Sequence, residues 1–230
     1  DLAPEFVLRF GKTPTSKVVR LWAAKHAHST FVIEANPGWH DPDAVVTNII
    51  HARALDVFTD LVDAAFKNDV DPSWLTRWEQ AAKVAETKIT EVSEEVFWEG
   101  AIARKVVEAL PEKSLLHVSN SMPIRDLDAM VKSFPENTTV VHHRGANGID
   151  GAISSLLGEA EASTLPSVLL CGDLTFLHDV GALHAATHQT NPLTIVVVDN
   201  RGGGIFEHLP IAKHPEAFER NFITPHQQDL

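Results

Sequence analysis

Leu193-Thr194-Ile195-Val196-Val197-Val198 is followed by Asp199-Asn200-Arg201-Gly202-Gly203-Gly204. An apolar, β-branched run of this length, ended by turn formers, reads as a strand covered on both faces, the mark of a parallel sheet. Upstream, Ser167-Val168-Leu169-Leu170-Cys171 is a second such run, ended by Gly172-Asp173-Leu174-Thr175. Between them Leu177–Gln189 has the texture of a helix. Further strands are expected at Ser114–Val118 and Thr138–His142, with helices over Pro123–Ser133 and Ile149–Glu161. Regular strand–helix alternation predicts an α/β fold of doubly wound parallel sheets with flanking helices, where ligands bind beyond the carboxyl ends of the strands.

Working toward the amino terminus, Phe6–Phe10 reads as a buried strand ended by Gly11, and Val18–Ala27 as a helix. Thr30–Ala35 reads as a second strand closed by the turn Asn36-Pro37-Gly38, and Val45–His51 as a short third. From Ala52 to about Leu110 the pattern becomes long amphipathic helices, one opening at Asp71-Pro72-Ser73. A boundary near Glu91–Glu95 divides the chain into residues 1–92 and 93–230.

The 230 residues carry 31 acidic against 19 basic side chains, a net charge of −12, which argues against a nucleic-acid partner. No apolar run is long enough for a membrane span, and the start has neither the basic nor the apolar segment of a signal peptide. The single Cys171 excludes a disulfide scaffold and fits a reducing compartment, so a cytoplasmic location is expected. Gly11-Lys12-Thr13 is not a phosphate loop, because the position five before its glycine is Phe6. His184 and His188 share a helix face, but no glutamate base lies between them.

The chemistry concentrates at the two strand ends first quoted. Asp173 and Asn200 are separated by one strand–helix–strand excursion, which can return the chain to where it left. An Asp carboxylate, an Asn amide oxygen and a backbone carbonyl from the glycine run are hard oxygen donors of the kind Mg²⁺ takes. A helix start after Gly172-Asp173 offers N–H groups to a phosphate. Together they describe a site for a metal-bound diphosphate.

This pair resembles the thiamine-diphosphate signature, Gly-Asp-Gly followed over two dozen residues later by Asn-Asn. Here Leu174 stands at the third position and Asp199 at the first Asn. The loop Gly-Asp-Leu-Thr is closer to the Gly-Asp-Leu-Ser of the MenD family, the 2-succinyl-5-enolpyruvyl-6-hydroxy-3-cyclohexene-1-carboxylate synthases. Asn120-Ser121 with Arg125 resembles that family's substrate loop. Arg144-Gly145-Ala146-Asn147-Gly148-Ile149-Asp150-Gly151 resembles its Arg-Gly-Ala-Ser-Gly-Ile-Asp-Gly segment, with His143 where Asn is usual. Gly202-Gly203-Gly204-Ile205-Phe206 with Leu209-Pro210 resembles the loop that follows.

The resemblance implies a C–C bond-forming transferase of menaquinone biosynthesis, dependent on thiamine diphosphate and Mg²⁺ (or Mn²⁺). It would decarboxylate 2-oxoglutarate and add the succinyl unit to isochorismate. Carried over, Asp173, Asn200 and the Gly202 carbonyl hold the metal. Asn120, Gly172, Leu174 and Thr175 meet the cofactor, and Ile149 is the wedge that bends it. Ser121, Arg125 and Arg144 are the catalytic and substrate-binding groups. Ile205, Phe206 and Leu209 supply an apolar wall, and Lys17 is a further substrate contact. Residues 1–92 correspond to the end of the family's central domain and 93–230 to an incomplete diphosphate-binding domain. The pyrimidine-binding domain, with the glutamate that activates the cofactor, has no counterpart here. The resemblance therefore implies a fragment, inactive alone, of a homodimer or dimer of dimers. Another thiamine-diphosphate decarboxylase, an acetohydroxyacid synthase relative and a non-catalytic module of the same fold are the alternatives.

Overall fold

The computed structural model describes residues 2–36, 38, 40–65 and 71–230. The chain forms two compact units, Asp1–Glu91 and Val92–Leu230. In the first, β1 (Phe6–Phe10), β2 (Ser29–Ile33) and β3 (Asn48–Ile50) form a parallel sheet in that order. The helix α1 (Lys17–His26) joins β1 to β2, its start capped by Ser16 Oγ, which accepts from the Val19 N–H. Then follow α2 (Ala54–Ala65) and α3 (Ser73–Glu95), which starts where Asp71 Oδ1 accepts the Ser73 N–H. The division between the units falls inside α3 rather than in a linker.

The second unit continues with α4 (Glu99–Glu108), β4 (Leu115–Val118), α5 (Met122–Met130), β5 (Thr139–His142), α6 (Ala152–Ser163) and β6 (Ser167–Gly172). The helix α7 (Asp173–His178) springs directly from β6, and α8 (Leu183–Ala186) leads to β7 (Leu193–Val198). Short 3-10 turns, α9 (Pro215–Phe218) and a π-turn over Glu219–Ile223 close the chain. The sheet is parallel throughout, in the order β5-β4-β6-β7.

Alternation of side chains across the strands builds a core on each face. Leu116, Val118 and Leu170 pack with Ala103, Val107, Ile124 and Leu127, from α4 and α5. Leu115, Leu169 and Cys171 face the other way, against Ile153, Leu156 and Leu157 of α6. The sheet is thus doubly wound. β4 and β6 are neighbours, and the chain leaving β4 passes to α5 on one face while that leaving β6 passes to α7 on the other, so the two connections diverge. The carboxyl ends of β4 and β6 border the resulting crevice, the place such folds reserve for ligands.

Four expectations are corrected. β7 is an edge strand and only half-buried, although its composition suits a covered one; it pairs with β6 along one side. β1 likewise lies at an edge, with Phe6 and Phe10 exposed. The helix expected over Leu177–Gln189 is broken into α7, a 3-10 turn and α8. Asp179 ends α7 with non-helical backbone while its carboxylate accepts from the Ser154 N–H and Oγ–H. Finally, α6 starts at Ala152 rather than Ile149, because Gly151 before it is left-handed, with φ of 69°. In the expected turn Asn36-Pro37-Gly38, Pro37 lies outside the described residues.

Candidate diphosphate and metal site

Three strand ends build the site. β6 delivers Gly172, Asp173, Leu174 and Thr175; β7 delivers Asn200 and the glycine run; β4 delivers Ser121. These residues, with Glu99, Asp126, Ile149, Ile205 and Phe206, line a cavity of about 130 Å³. That is room for a diphosphate and a cation rather than for a whole cofactor, since pockets for larger ligands run to roughly 300–1,000 Å³. A larger hollow of about 860 Å³ lies along α4 and β7, lined by Phe97, Ile102, Val106, Val168 and Val196. It lacks convergent polar groups, so chemistry rather than size selects the smaller one.

Asp173 is the centre of the site, with only 2% of its surface exposed. Its Oδ1 accepts the Leu174 N–H at 2.7 Å. Its Oδ2 accepts the Gly202 N–H at 2.7 Å and lies 3.0 Å from His226 Nε2. Two groups expected to be open to a ligand are therefore engaged: the Leu174 N–H, which donates to Asp173, and the Gly202 carbonyl, which accepts from the Gly204 N–H at 3.0 Å. The carbonyl retains its second lone pair. Asn200 turns its Nδ2 to Glu99 Oε1 at 2.8 Å, while its Oδ1 accepts no hydrogen bond among the described residues.

The glycine run is dictated by close approach. A Cβ on Gly202, whose φ is +150°, would lie 2.3 Å from the Ile223 carbonyl oxygen, and one on Gly203 2.4 Å from that of Phe222. The segment after α9 thus lies directly on the loop. It is pinned by the Gly203 N–H donating to Ile223 O and by Arg201 Nη1 donating to Gln228 O.

Beside the crevice, Ser121 holds φ 72°, ψ −132°, a backbone conformation costly outside glycine and typical of sites under functional constraint. Asn120 is buried, and its side chain is spent on the neighbouring loop. Nδ2 donates to the carbonyls of His143 and Gly148, and Oδ1 accepts from Arg144 Nη1 at 3.2 Å. Asn120 therefore clamps β4 to residues 143–148 and does not line the cavity. Arg125 donates to the Ser121 carbonyl. Neither Arg125 nor Arg144 is ion-paired among the described residues. Burial, and then the charge of Arg125, hold the Arg144 pKa below the usual guanidinium value. A guanidinium held down by burial and a neighbouring cation, with no counterion among the described residues, suits an anionic ligand.

Ile149, Ile205 and Phe206 supply apolar lining, whereas Leu209 is exposed and outside it. Lys17 heads α1 in the first unit. Glu99, Asp126 and His226 were not singled out by the sequence patterns, and Asp199 only as the residue standing at the first Asn of the signature. Asp199 and His226 offer ligand atoms within 4.8 Å of Asp173. Asp126 is pushed up to about 6, chiefly by burial and next by the charge of Glu99.

No family model matches the chain. Curated relatives do. The chain is 40% identical, over its whole length, to the 2-succinyl-5-enolpyruvyl-6-hydroxy-3-cyclohexene-1-carboxylate synthase of Listeria monocytogenes, covering 40% of that protein. It is 38% identical over 97% of its length to the synthase of Bacillus pumilus, and 37% over 99% to that of Haloarcula marismortui. Over that shared segment the chain is similar to the 2-succinyl-5-enolpyruvyl-6-hydroxy-3-cyclohexene-1-carboxylate synthases. It spans about 39% of the length of the relatives it matches. No helix among the described residues is long and apolar enough to cross a membrane.

Proposed function

We propose that this chain is the diphosphate- and metal-holding portion of a synthase that uses thiamine diphosphate and Mg²⁺ (or Mn²⁺). The enzyme would decarboxylate 2-oxoglutarate and join the succinyl unit to isochorismate in menaquinone biosynthesis. The observation that carries the reading is the convergence of Asp173, Asn200 and Gly202 on one small cavity at the strand ends. The donor set fits the cation: one buried carboxylate, one amide oxygen that accepts no hydrogen bond among the described residues and one carbonyl with a spare lone pair are all hard oxygens.

In this reading Asp173, Asn200 and the Gly202 carbonyl hold the metal. Thr175 and the backbone of Gly172 and Leu174 face the diphosphate, and Ile149 supports the bent cofactor. Asn120 acts through the loop that it holds. When bound, the cofactor supplies the carbanion chemistry. The chain's own residues bind and orient. Arg125 and Arg144 take the carboxylates of the substrates, and Ser121 stands beside them in its constrained conformation. Ile205 and Phe206 exclude water from the cavity. Residues 1–92 would be the end of a central domain and 93–230 a diphosphate-binding domain, working within a homodimer in the cytoplasm. The 230 residues by themselves would be inactive.

The test is calorimetric titration of thiamine diphosphate with Mg²⁺, repeated in EDTA and in Asp173→Ala, on this chain and on the complete synthase that carries it. Metal-dependent binding lost in the variant is expected in the complete synthase. Metal-independent binding, or binding indifferent to Asp173→Ala, would overturn the site. Turnover of pyruvate in place of 2-oxoglutarate would instead point to another thiamine-diphosphate enzyme.

A further inference from the structure

Asn200 can serve a cation only through Oδ1, and an amide side chain has two faces that differ by a half-turn about its terminal bond. Unrestrained, it presents nitrogen as readily as oxygen. Something must therefore set the orientation, and the structure contains it. Glu99 Oε1 sits 2.8 Å from Asn200 Nδ2 across a sequence separation of 101 residues. A carboxylate only accepts hydrogen bonds, so it selects the NH₂ end and turns the oxygen away from itself.

Three local features place Glu99 for this task. It is the first residue of α4, where the helix dipole favours a carboxylate. The ring of Trp98 lies over the start of the helix in space that Gly100 leaves open, since a Cβ there would come within 2.3 Å of the ring. Gly204 leaves room for the amide, because its Cβ would meet Asn200 Nδ2 at 2.7 Å. Glu99 also lines the cavity and faces Asp126, whose carboxyl it helps to push up. A carboxylate needed only to cap α4 would have no reason to spend an oxygen on the glycine-rich loop.

We propose that Glu99 is a positioning residue of the metal site, orienting the Asn200 amide so that its oxygen faces the cation. This rests on the reading of Asp173 and Asn200 as metal-holding groups. Glu99 touches neither metal nor cofactor; it acts through Asn200, as partners of ligands commonly do.

The experiment is a Mn²⁺ titration by electron paramagnetic resonance, with thiamine diphosphate present, on the complete synthase carrying this chain. Glu99→Ala, which removes the acceptor, is expected to weaken Mn²⁺ on the order of tenfold. Glu99→Gln keeps an acceptor oxygen without the charge, and should stay within about threefold of the parent. Gly204→Ala, which crowds the amide itself, should weaken Mn²⁺ as Glu99→Ala does and guards against a folding defect in that variant. Unchanged affinity in Glu99→Ala would overturn the inference while leaving the site intact. Equal weakening by Glu99→Ala and Glu99→Gln would also overturn it, because charge rather than orientation would then be responsible. If the parent binds no Mn²⁺ with the cofactor, or Asp173→Ala binds it as the parent does, the metal-site reading itself fails and the inference falls with it.

Discussion

His226 Nε2 lies 3.0 Å from Asp173 Oδ2, the same oxygen that accepts the Gly202 N–H. One buried carboxylate thus ties the end of β6, the glycine-rich loop and a segment 53 residues further on into one unit. Both side chains are nearly enclosed, so water cannot replace the bond when one partner is lost. His226→Ala should destabilise the second unit by about 1–3 kcal/mol. It should also release the segment that covers the loop. Hydrogen exchange at the Gly203 amide, which donates to Ile223 O, reports this directly; protection equal to the parent would mean that His226 is not the tie.

The glycines of the loop offer a sharper contrast. Gly202→Ala or Gly203→Ala drives a methyl group into a backbone carbonyl at 2.3 or 2.4 Å, which only movement of the covering segment can relieve. A cost of roughly 1–3 kcal/mol is expected for each. Gly158 is the control. It sits exposed inside α6 with nothing within 4 Å of its added Cβ, so Gly158→Ala should stabilise by about 0.5–1 kcal/mol. Thermal melts of the three variants check the opposite signs, and a stabilised Gly203→Ala would refute the close-approach account.

How far this site was legible in sequence follows from the range of its contacts. Asp173, Asn200 and the glycine run announce themselves because hard donors and turn formers end apolar strands. The strands and most helices follow from periodicity of two and of 3.6. Edge position was not legible. The composition of β7 says that its side chains are apolar, but only pairing decides whether a neighbour covers them. Glu99 and His226 were invisible for a related reason. Each is an ordinary polar residue in its own segment, and each gains its role from a partner 101 or 53 positions away. The break in the helix after His178 has the same origin, since Asp179 leaves the helical path to hold Ser154 of α6.

Arg144 carries the substrate prediction. Its guanidinium pKa is depressed by burial and then by Arg125, and the group is bonded only to the Asn120 amide oxygen among the described residues. Arg144→Ala should cost on the order of 2–3 kcal/mol in apparent affinity or turnover for a dicarboxylate such as 2-oxoglutarate, through one lost charge-assisted pair. Arg144→Lys keeps the charge but not the fork, and should recover only part of it. Steady-state kinetics of the proposed synthase decides; an unchanged profile in Arg144→Ala removes this residue from the site.

Asp126 yields a prediction in pH. Its carboxyl is raised from 3.8 to about 6 in the folded chain, so the folded state holds a proton that the unfolded state has released. Between those values stability falls as pH rises; above about 6 the penalty is complete, and below about 3.8 it is absent. Asp126→Asn removes the charge without the volume. It should therefore stabilise the chain by on the order of 2 kcal/mol at neutral pH, and by progressively less as the medium is acidified through that window. Denaturant midpoints across the range test the sign, and a gain independent of pH would place its cause elsewhere.

The last prediction concerns the core beneath the crevice. His117 on β4 is fully buried, with Nδ1 2.8 Å from Glu159 Oε2 and Nε2 without a partner among the described residues. Its ring packs edge-to-face on that of His143, at 4.7 Å between centroids, and His143 Nε2 reaches Ser155 Oγ. His143 in turn lends its carbonyl to Asn120, so this buried pair underlies the loop that holds Arg144. Removing Glu159 alone leaves a second ring nitrogen unpaired in the core. Glu159→Ala should thus destabilise by about 1–3 kcal/mol. Replacing both partners, as in His117→Leu with Glu159→Ala, removes the polar atoms together and should cost less than the single change. A double-mutant cycle by chemical denaturation measures the coupling between the two residues. Additive costs would show that the pair contributes only packing, whereas a double variant more stable than Glu159→Ala would show that the unpaired nitrogen is the source of the loss.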